Sequence, residues 1–265
     1  MSGDRTLGVV LVYPELLGTY GDRGNATALV HRARARGLDC ELVEAPLEQP
    51  LPTSGDIYLI GGGEDAAMLL AYEHLVAGNR LEDAVAAGAA CFGVCAGYQL
   101  LGREFAGPDS VPREGLGLLD VTCSRLEGPR AVGEMLSEWG DDFLTGYENH
   151  QGDARLGPAA RPLARLLRGV GNGDGRTEGA VQGRVVGTYL HGPALVRNDA
   201  LADHLLEQVA GPLAPFDDVP VRRLREERRA AALAEAPRPR PRGRAVVQPA
   251  ATEPSSPRPS GTMTP

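Results

Sequence analysis

Cys95 stands in a stretch of sequence that is typical of a catalytic cysteine. In the segment AACFGVCAGYQLLG, small and apolar residues up to Val94 indicate a buried strand, and the residues after Gly97 indicate a helix. A strand, a sharp turn and a helix form a nucleophile elbow, whose tight turn requires small neighbours such as Gly93 and Gly97. The start of a helix favours negative charge, so we expect a stabilised thiolate and a lowered pKa at Cys95. The alternative is an inert, buried thiol, which is the interpretation of Cys91.

A cysteine nucleophile needs a base, normally a histidine, and two of the five histidines are suitably placed. His191 in GTYLHGP and His150 in GYENHQG each end a candidate strand and are followed closely by glycine. A histidine at the end of a strand lies at the sheet edge towards which the elbow points. We therefore assign His191 as the base and keep His150 as the alternative. The others are interpreted as surface or interface residues of predicted helices: His31, His74 and His204.

A triple glycine follows the strand predicted over residues 56–60. Glycines after a buried strand let backbone N–H groups approach a ligand closely, as in an oxyanion hole or a phosphate-binding loop. If this strand and the elbow strand lie in one parallel sheet, both loops meet at the same edge. The candidate oxyanion-hole residues are Gly62, Gly63 and Ala96.

The first predicted strand, over residues 7–13, is followed by the polar, glycine-rich loop GTYGDRGN. A loop in this position usually faces the active site of an open α/β sheet, which makes Asp22 a candidate site residue. An ordinary turn is an equally good interpretation of Asp22. Asn25 is the expected cap of a helix over residues 26–36.

Strands and helical patterns alternate through the first part of the chain, which predicts an α/β fold with an open, mostly parallel sheet and helices on both faces. Later candidate strands follow one another without long helices between them, which predicts a mixed or antiparallel extension. These strands are at 115–123, 131–135, 143–150 and 184–190. The composition of residues 169–179, GVGNGDGRTEG, indicates a flexible surface loop.

Three regions are predicted along the chain. Residues 1–213 form one domain, whose last helix is capped by Asn198-Asp199. Residues 214–236 include an Arg/Glu/Ala-rich stretch that is a possible helix. Residues 237–265 are rich in Pro, Arg and Ser, with little to bury, and are predicted to be a disordered tail.

The composition argues against several kinds of protein. A formal net charge of -8 argues against a nucleic-acid-binding protein. All 27 basic residues are arginine, so the lysine of a P-loop is missing, and any ATP site is expected on another polypeptide. No apolar run reaches the roughly 18 residues of a membrane span, and no signal peptide is apparent, so we expect a cytoplasmic protein. Four cysteines without zinc-like spacing predict neither a metal site nor a disulfide framework.

Together, CFGVCAGYQLLG, GTYLHGP and the triple glycine resemble the class I glutamine amidotransferases of the cobyric acid synthase-like branch. Three further segments, YENHQG, YPELLGTYGDRGN and PRAVGEM, narrow the resemblance to the GatD family, the glutaminase subunits of lipid II isoglutaminyl synthases. The likeness covers residues 7–210 and excludes the tail.

The resemblance implies hydrolysis of L-glutamine and transfer of the ammonia to a Mur ligase-like partner, MurT. That partner would use ATP and Mg²⁺ to amidate the D-glutamate α-carboxylate of lipid II, and no cofactor is expected in this chain. By position in the motifs, Cys95 would be the nucleophile, His191 the base and Arg130 the residue that holds glutamine. The forked guanidinium of an arginine suits a carboxylate.

One position departs from the family pattern. Many class I amidotransferases carry a glutamate two residues after the histidine, where this chain has Pro193. The histidine would then be oriented by a backbone carbonyl or by a distant acid such as Asp22 or Glu148. We predict a Cys-His dyad and leave the third member open.

Two alternative functions remain. An amidotransferase of cobalamin-type synthesis has a similar domain, but it is usually fused to a P-loop module that needs the missing lysine. A non-catalytic scaffold on the same fold is the other alternative, because a fold alone does not establish a function. The joint presence of Cys95, His191 and the triple glycine argues against the scaffold.

Overall fold

The computed structural model describes residues 5–78 and 80–234. In chain order, its elements are β1 (Leu7–Val12), α1 (Arg23–Arg34), β2 (Cys40–Ala45), β3 (Ile57–Ile60), α2 (Asp65–Val76), α3 (Arg80–Ala86), β4 (Ala90–Val94), α4 (Ala96–Leu101), β5 (Glu104–Ala106), β6 (Pro112–Glu114), β7 (Val121–Arg125), β8 (Ala131–Trp139), β9 (Asp142–His150), β10 (Gly152–Leu156), β11 (Ala164–Arg168), β12 (Thr177–Glu178), β13 (Ala180–Gln182), β14 (Val185–Thr188), α5 (Ala194–Arg197), α6 (Asp199–Ala210) and α7 (Val219–Ala234).

The main sheet has six strands in the order β13-β14-β4-β3-β1-β2. All neighbouring pairs are parallel except β13 with β14. Nearly every residue of β1, β3 and β4 is buried, as expected of apolar strands that are covered on both faces. The strand order reverses after β2, so right-handed crossovers place α1, which follows β1, on one face of the sheet and α2 and α3, which follow β3, on the other. The predicted open, mostly parallel α/β sheet is confirmed.

The predicted mixed extension consists of two smaller sheets, in the orders β10-β7-β5-β6 and β12-β11-β8-β9. The strand predicted at 184–190 was wrongly assigned to it, because β14 belongs to the main sheet and pairs in parallel with β4. Within the two smaller sheets only β5 and β7 pair in parallel. The strand expected over 115–123 is shorter, because residues 115–120 form a loop whose amides bond to the end of α4: Leu116 N donates to Leu100 O (2.9 Å) and Leu119 N to Leu101 O (2.8 Å).

Residues 169–179 differ from the flexible surface loop that their composition predicted. Val170 and Asn172 are buried, and the segment ends in β12. The backbone amides of Val170 and Gly171 donate to the carboxylate of Glu148, at 3.0 and 3.1 Å. These bonds come from a strand distant in sequence, which the local composition does not reveal.

Two asparagines that were predicted to cap helices use their side chains to bond to distant parts of the chain. Asp22, not Asn25, is the N-cap of α1, so Asn25 lies inside the helix. Its side-chain oxygen accepts a hydrogen bond from Leu195 N (2.8 Å). Asn198 does occupy the N-cap of α6, but its side chain bonds both backbone groups of Thr145 at 2.8 Å. In both cases a buried long-range hydrogen bond replaces the local one.

Helix α7 lies within residues 214–236 and packs against β8 and β9. Arg225 joins it to the domain by donating to Asp142 (2.6 Å) and Asp199 (2.8 Å). The tail predicted at residues 237–265 lies outside the described residues. None of the helices in the described part of the chain has the length and apolar character needed to cross a lipid bilayer.

Candidate active site

Cys95 occupies the predicted nucleophile elbow, between β4 and α4. Its backbone has φ 53° and ψ -101°, an unusual conformation for a residue with a side chain. A β-carbon on Gly93 would stand 2.8 Å from backbone atoms of Gly97, which confirms that the turn requires small neighbours. The amide of Cys95 donates to Thr188 O (2.8 Å), which ties the elbow to β14.

The electrostatics of Cys95 differ from the expectation of a lowered pKa. The residue is only 7% exposed, and burial raises the pKa of its thiol to about 12. The negative charge of Asp22 raises it further, whereas Arg130 and the backbone amide of Ala96 lower it. Because desolvation outweighs the helix N-terminus, the resting nucleophile is a thiol.

His191 lies beyond the end of β14, where its backbone forms two hydrogen bonds with Tyr147, at 2.8 and 2.9 Å. Its ring packs against that of Tyr20, with centroids 4.5 Å apart. Neither ring nitrogen has a hydrogen-bond partner among the described residues. Burial, with smaller effects from the positive charges of His150 and Arg130, lowers the pKa of His191 to about 4. A neutral imidazole of this kind is able to accept a proton.

Asp22 approaches the site without bonding to the ring of His191. Its Oδ2 accepts from Gly62 N (2.7 Å) and its Oδ1 from Asn25 Nδ2 (3.3 Å). A β-carbon on Gly62 would stand 2.8 Å from Cε1 of His191, so a side chain at this position would collide with the ring. Burial raises the pKa of Asp22 to about 6.

The oxyanion-hole candidates are not equivalent in the structure. The amide of Gly62 already donates to Asp22, so it is not free for a substrate oxygen. Gly63 and Ala96 line the cavity that contains Cys95. Their amides are therefore the better candidates of the three.

Glu148, the second acid considered for orienting His191, contacts the other histidine. The carboxylate is fully buried, and its Oε2 lies 3.5 Å from Nε2 of His150. No hydrogen bond joins either Asp22 or Glu148 to His191 in the described residues, and the third member of the catalytic group stays open.

Arg130 lies at the mouth of the site and is fixed by Asn149. Its Nε donates to Asn149 Oδ1 (2.5 Å), and a second guanidinium nitrogen donates to Asn149 O (2.9 Å). Asn149 in turn donates to the hydroxyl of Tyr20 (3.2 Å), whose ring covers His191. The sequence motifs contained Tyr20 and Asn149, but nothing in their residue types distinguished them from neighbouring loop residues.

The cavity beside the nucleophile is narrow, with a volume of about 40 Å³. Residues from several elements line it: Cys95, Gln99, Arg125, Arg130 and His150. A larger cavity of about 410 Å³, near Tyr13, His74 and Arg80, contains none of the candidate catalytic residues.

Residues 8–199 match the family model of the CobB/CobQ-like glutamine amidotransferase domain, which is well over half of the chain. The chain belongs to this family. The predicted class of enzyme, a glutamine amidotransferase, is thereby confirmed, together with the resemblance drawn from its motifs.

Two curated relatives differ in how much of their length this amidotransferase spans. It is 36% identical over 197 residues to the lipid II isoglutaminyl synthase (glutamine-hydrolyzing) subunit GatD of Staphylococcus aureus (strain N315), covering 72% of this chain and 79% of that protein. It is 37% identical over 163 residues to the cobyric acid synthase of Methylobacterium nodulans, covering 59% of this chain but 32% of that protein.

A solved structure supports the fold of this amidotransferase. The crystal structure of a glutamine amidotransferase superposes with a TM-score of 0.55 at 24% sequence identity. The match covers 77% of this chain and 100% of the other.

Proposed function

We propose that this amidotransferase hydrolyses L-glutamine in the cytoplasm and supplies the ammonia to a Mur ligase-like subunit, MurT. That subunit amidates the D-glutamate α-carboxylate of lipid II. The observation that carries the proposal is coverage: the chain spans 79% of a GatD subunit but 32% of a cobyric acid synthase. Cys95 has a strained backbone at the end of β4, and the neutral His191 follows the neighbouring parallel strand β14, which supports a catalytic role over a scaffolding role.

The chemistry begins with a neutral pair. With the pKa of Cys95 near 12 and that of His191 near 4, a thiolate-imidazolium pair is unfavourable before substrate binds. The proton therefore moves to His191 as Cys95 Sγ attacks the side-chain amide carbon of glutamine. The amides of Gly63 and Ala96 donate to the oxyanion that forms.

Collapse of this intermediate breaks the C–N bond, and His191 returns the proton to the departing ammonia. The product on the enzyme is a γ-glutamyl thioester with Cys95. Water then attacks the thioester while His191 removes its proton, and a second collapse releases glutamate and restores the thiol. Arg130 exchanges its contacts with Asn149 for the α-carboxylate of glutamine.

A carboxylate must be activated before it can be amidated, and we assign this activation to the partner subunit. The chain contains no lysine and therefore no P-loop lysine, so ATP and Mg²⁺ act on the Mur ligase-like subunit, and this chain needs no cofactor of its own. Direct delivery also limits the loss of ammonia by protonation in solution.

Reconstitution tests this division of labour. The purified chain alone should convert glutamine to glutamate and ammonia and should leave lipid II unchanged. With a Mur ligase-like subunit, it should support ATP-dependent amidation of lipid II from glutamine. Amidation of a corrinoid carboxylate instead of lipid II would favour the cobalamin-type alternative, and a chain without glutaminase activity would favour the scaffold.

A further inference from the structure

A buried carboxyl group outside the catalytic pair holds the strand end that connects Cys95 with His191. We propose that Glu178, acting through Thr188, is a positioning residue for this pair. The inference rests on the proposed glutaminase function and extends the support of the site to a residue on one of the smaller sheets.

Thr188, the last residue of β14, is the point at which the two catalytic residues are connected. Its carbonyl oxygen accepts a hydrogen bond from the amide of Cys95 (2.8 Å), and His191 follows three residues later. A displacement of Thr188 would therefore move the nucleophile relative to the base.

The side chain of Glu178 fixes this strand end. Glu178 belongs to β12 and is fully buried. Its Oε1 accepts hydrogen bonds from the hydroxyl of Thr188 and from the amide of Tyr189, the latter at 3.0 Å. The hydroxyl of Thr188 in turn accepts from the amide of Leu190 (3.0 Å). Three consecutive residues before His191 thus depend on one carboxyl oxygen, two of them directly and one through the hydroxyl.

Glu178 approaches β14 from a fixed position. In the pairing of β12 with β11 it lies opposite Ala164, and the next carbonyl oxygen, that of Gly179, accepts from Asn172 Nδ2 (2.9 Å). Gly179 has a φ of 59°, and a β-carbon there would collide with Gly187 O. A glycine is therefore required where β12 comes close to β14.

The contact does not depend on the protonation state of Glu178. Burial raises the pKa of its carboxyl group to about 7. An ionised carboxylate accepts both hydrogen bonds, and a neutral carboxyl group keeps a carbonyl oxygen that accepts them as well. Glu178→Gln likewise keeps an acceptor oxygen, whereas Glu178→Ala removes it.

Glu178 acts on the catalytic pair through the backbone and not through the ring of the base. In the described part of the chain, neither ring nitrogen of His191 has a hydrogen-bond partner, and Glu178 is not among the residues that line the cavity of Cys95. Its removal should therefore slow the chemical steps while the binding of glutamine stays the same.

The first test compares kcat and KM for glutamine hydrolysis in variants of Glu178. Glu178→Ala should lower kcat about 10- to 100-fold, because a small displacement of catalytic groups has a large effect on rate, and KM should stay within about twofold. Glu178→Gln should restore most of kcat. A kcat as low in Glu178→Gln as in Glu178→Ala, or a loss expressed in KM alone, would overturn the inference.

The second test changes a single hydroxyl and stays available if Glu178→Ala does not fold. Thr188→Val should lower kcat about 10-fold, and Thr188→Ser, which keeps the hydroxyl, should not. Thr145→Val is the matched control, because Thr145 is also fully buried but its hydroxyl has no hydrogen-bond partner among the described residues. Denaturant unfolding of both valine variants accompanies the kinetics, and equal kcat values in the two would contradict the proposed role.

A third measurement separates this inference from the proposed function. Alkylation of Cys95 by iodoacetamide, followed by mass spectrometry, requires removal of the thiol proton but no glutamine. If the wild-type protein has no glutaminase activity, the proposed function fails, and the alkylation rates decide the inference instead. A slower rate in Thr188→Val than in Thr145→Val would support it, and equal rates would refute it.

Discussion

Asp22 accepts a hydrogen bond from the backbone amide of Gly62, at 2.7 Å, and not from the ring of His191. The base is therefore positioned by its own backbone and by packing. Tyr147 holds its main chain, Tyr20 packs against the ring, and Gly62 leaves room for Cε1 where a side chain would collide with it. A ring held in this way can accept a proton without a carboxylate at its other nitrogen.

Substitution of Cys95 should abolish glutamine hydrolysis. Cys95→Ala and Cys95→Ser should lose at least about 1,000-fold in kcat, since the thioester depends on this sulfur. Cys40→Ala and Cys123→Ala are the controls, because these buried thiols lie outside the elbow. Glutamate release by each purified variant measures the effect, and activity in Cys95→Ala would contradict the assignment.

His191→Ala should separate the two half-reactions in a complex with the Mur ligase-like subunit. Glutamine-driven amidation should disappear, while amidation from added ammonium salt should continue, because the acceptor site lies on the other subunit. Product formation from each nitrogen source is the measurement. Loss of both reactions in a complex shown to be intact would disprove the proposed division of labour.

Arg130→Ala should weaken glutamine binding. Loss of a charge-assisted contact to the α-carboxylate should lower kcat/KM about 10- to 100-fold, mainly through KM. Arg130→Lys should recover part of the loss, since it keeps the charge but not the fork. Steady-state kinetics decide this, and an unchanged KM in Arg130→Ala would remove Arg130 from the substrate site.

The lowered pKa of His191 predicts a broad pH plateau. The base is active when neutral, so kcat/KM should fall only as the pH approaches about 4. The thiol of Cys95 stays protonated until about pH 12, so no basic limb should arise from it between pH 6 and 9. A pH profile of kcat/KM tests this. An acid limb at the ordinary histidine value of 6.5 would show that burial does not control His191.

Arg225 should contribute measurably to stability. It joins α7 to Asp142 and Asp199, and its guanidinium lies 4.8 Å from the ring centroid of Phe143. Arg225→Ala should lower the free energy of unfolding by about 1–3 kcal/mol. Arg223→Ala is the matched control, because Arg223 is on the same helix with its side chain 83% exposed. Denaturant unfolding should show little change in the control, and equal losses would refute a specific role for Arg225.

Features that depend on neighbouring residues could be predicted from the sequence. The elbow follows from local sterics, since Gly93 and Gly97 must be small wherever this turn occurs. The apolar runs of β1, β3 and β4 likewise indicated buried parallel strands.

Features that depend on residues distant in sequence could not be predicted. Asn25 bonds to a residue of α5, and the amide of Gly171 bonds to Glu148 on β9. The pKa of Cys95 depends on how deeply the fold buries it. Strand periodicity does indicate one such contact: residues two apart on a strand share a face, which places Glu148 beside His150.

The positive φ of Cys95 also means that catalytic activity and stability favour different residues at this position. A residue with a side chain in such a conformation costs of order 1–3 kcal/mol, whereas glycine adopts positive φ readily. Laboratory selection for heat tolerance alone would thus tend to replace the nucleophile with glycine and yield a longer-lived but inactive protein. Engineering this enzyme for heat tolerance therefore requires a screen for turnover as well, because turnover needs cysteine at position 95 whereas stability favours glycine there.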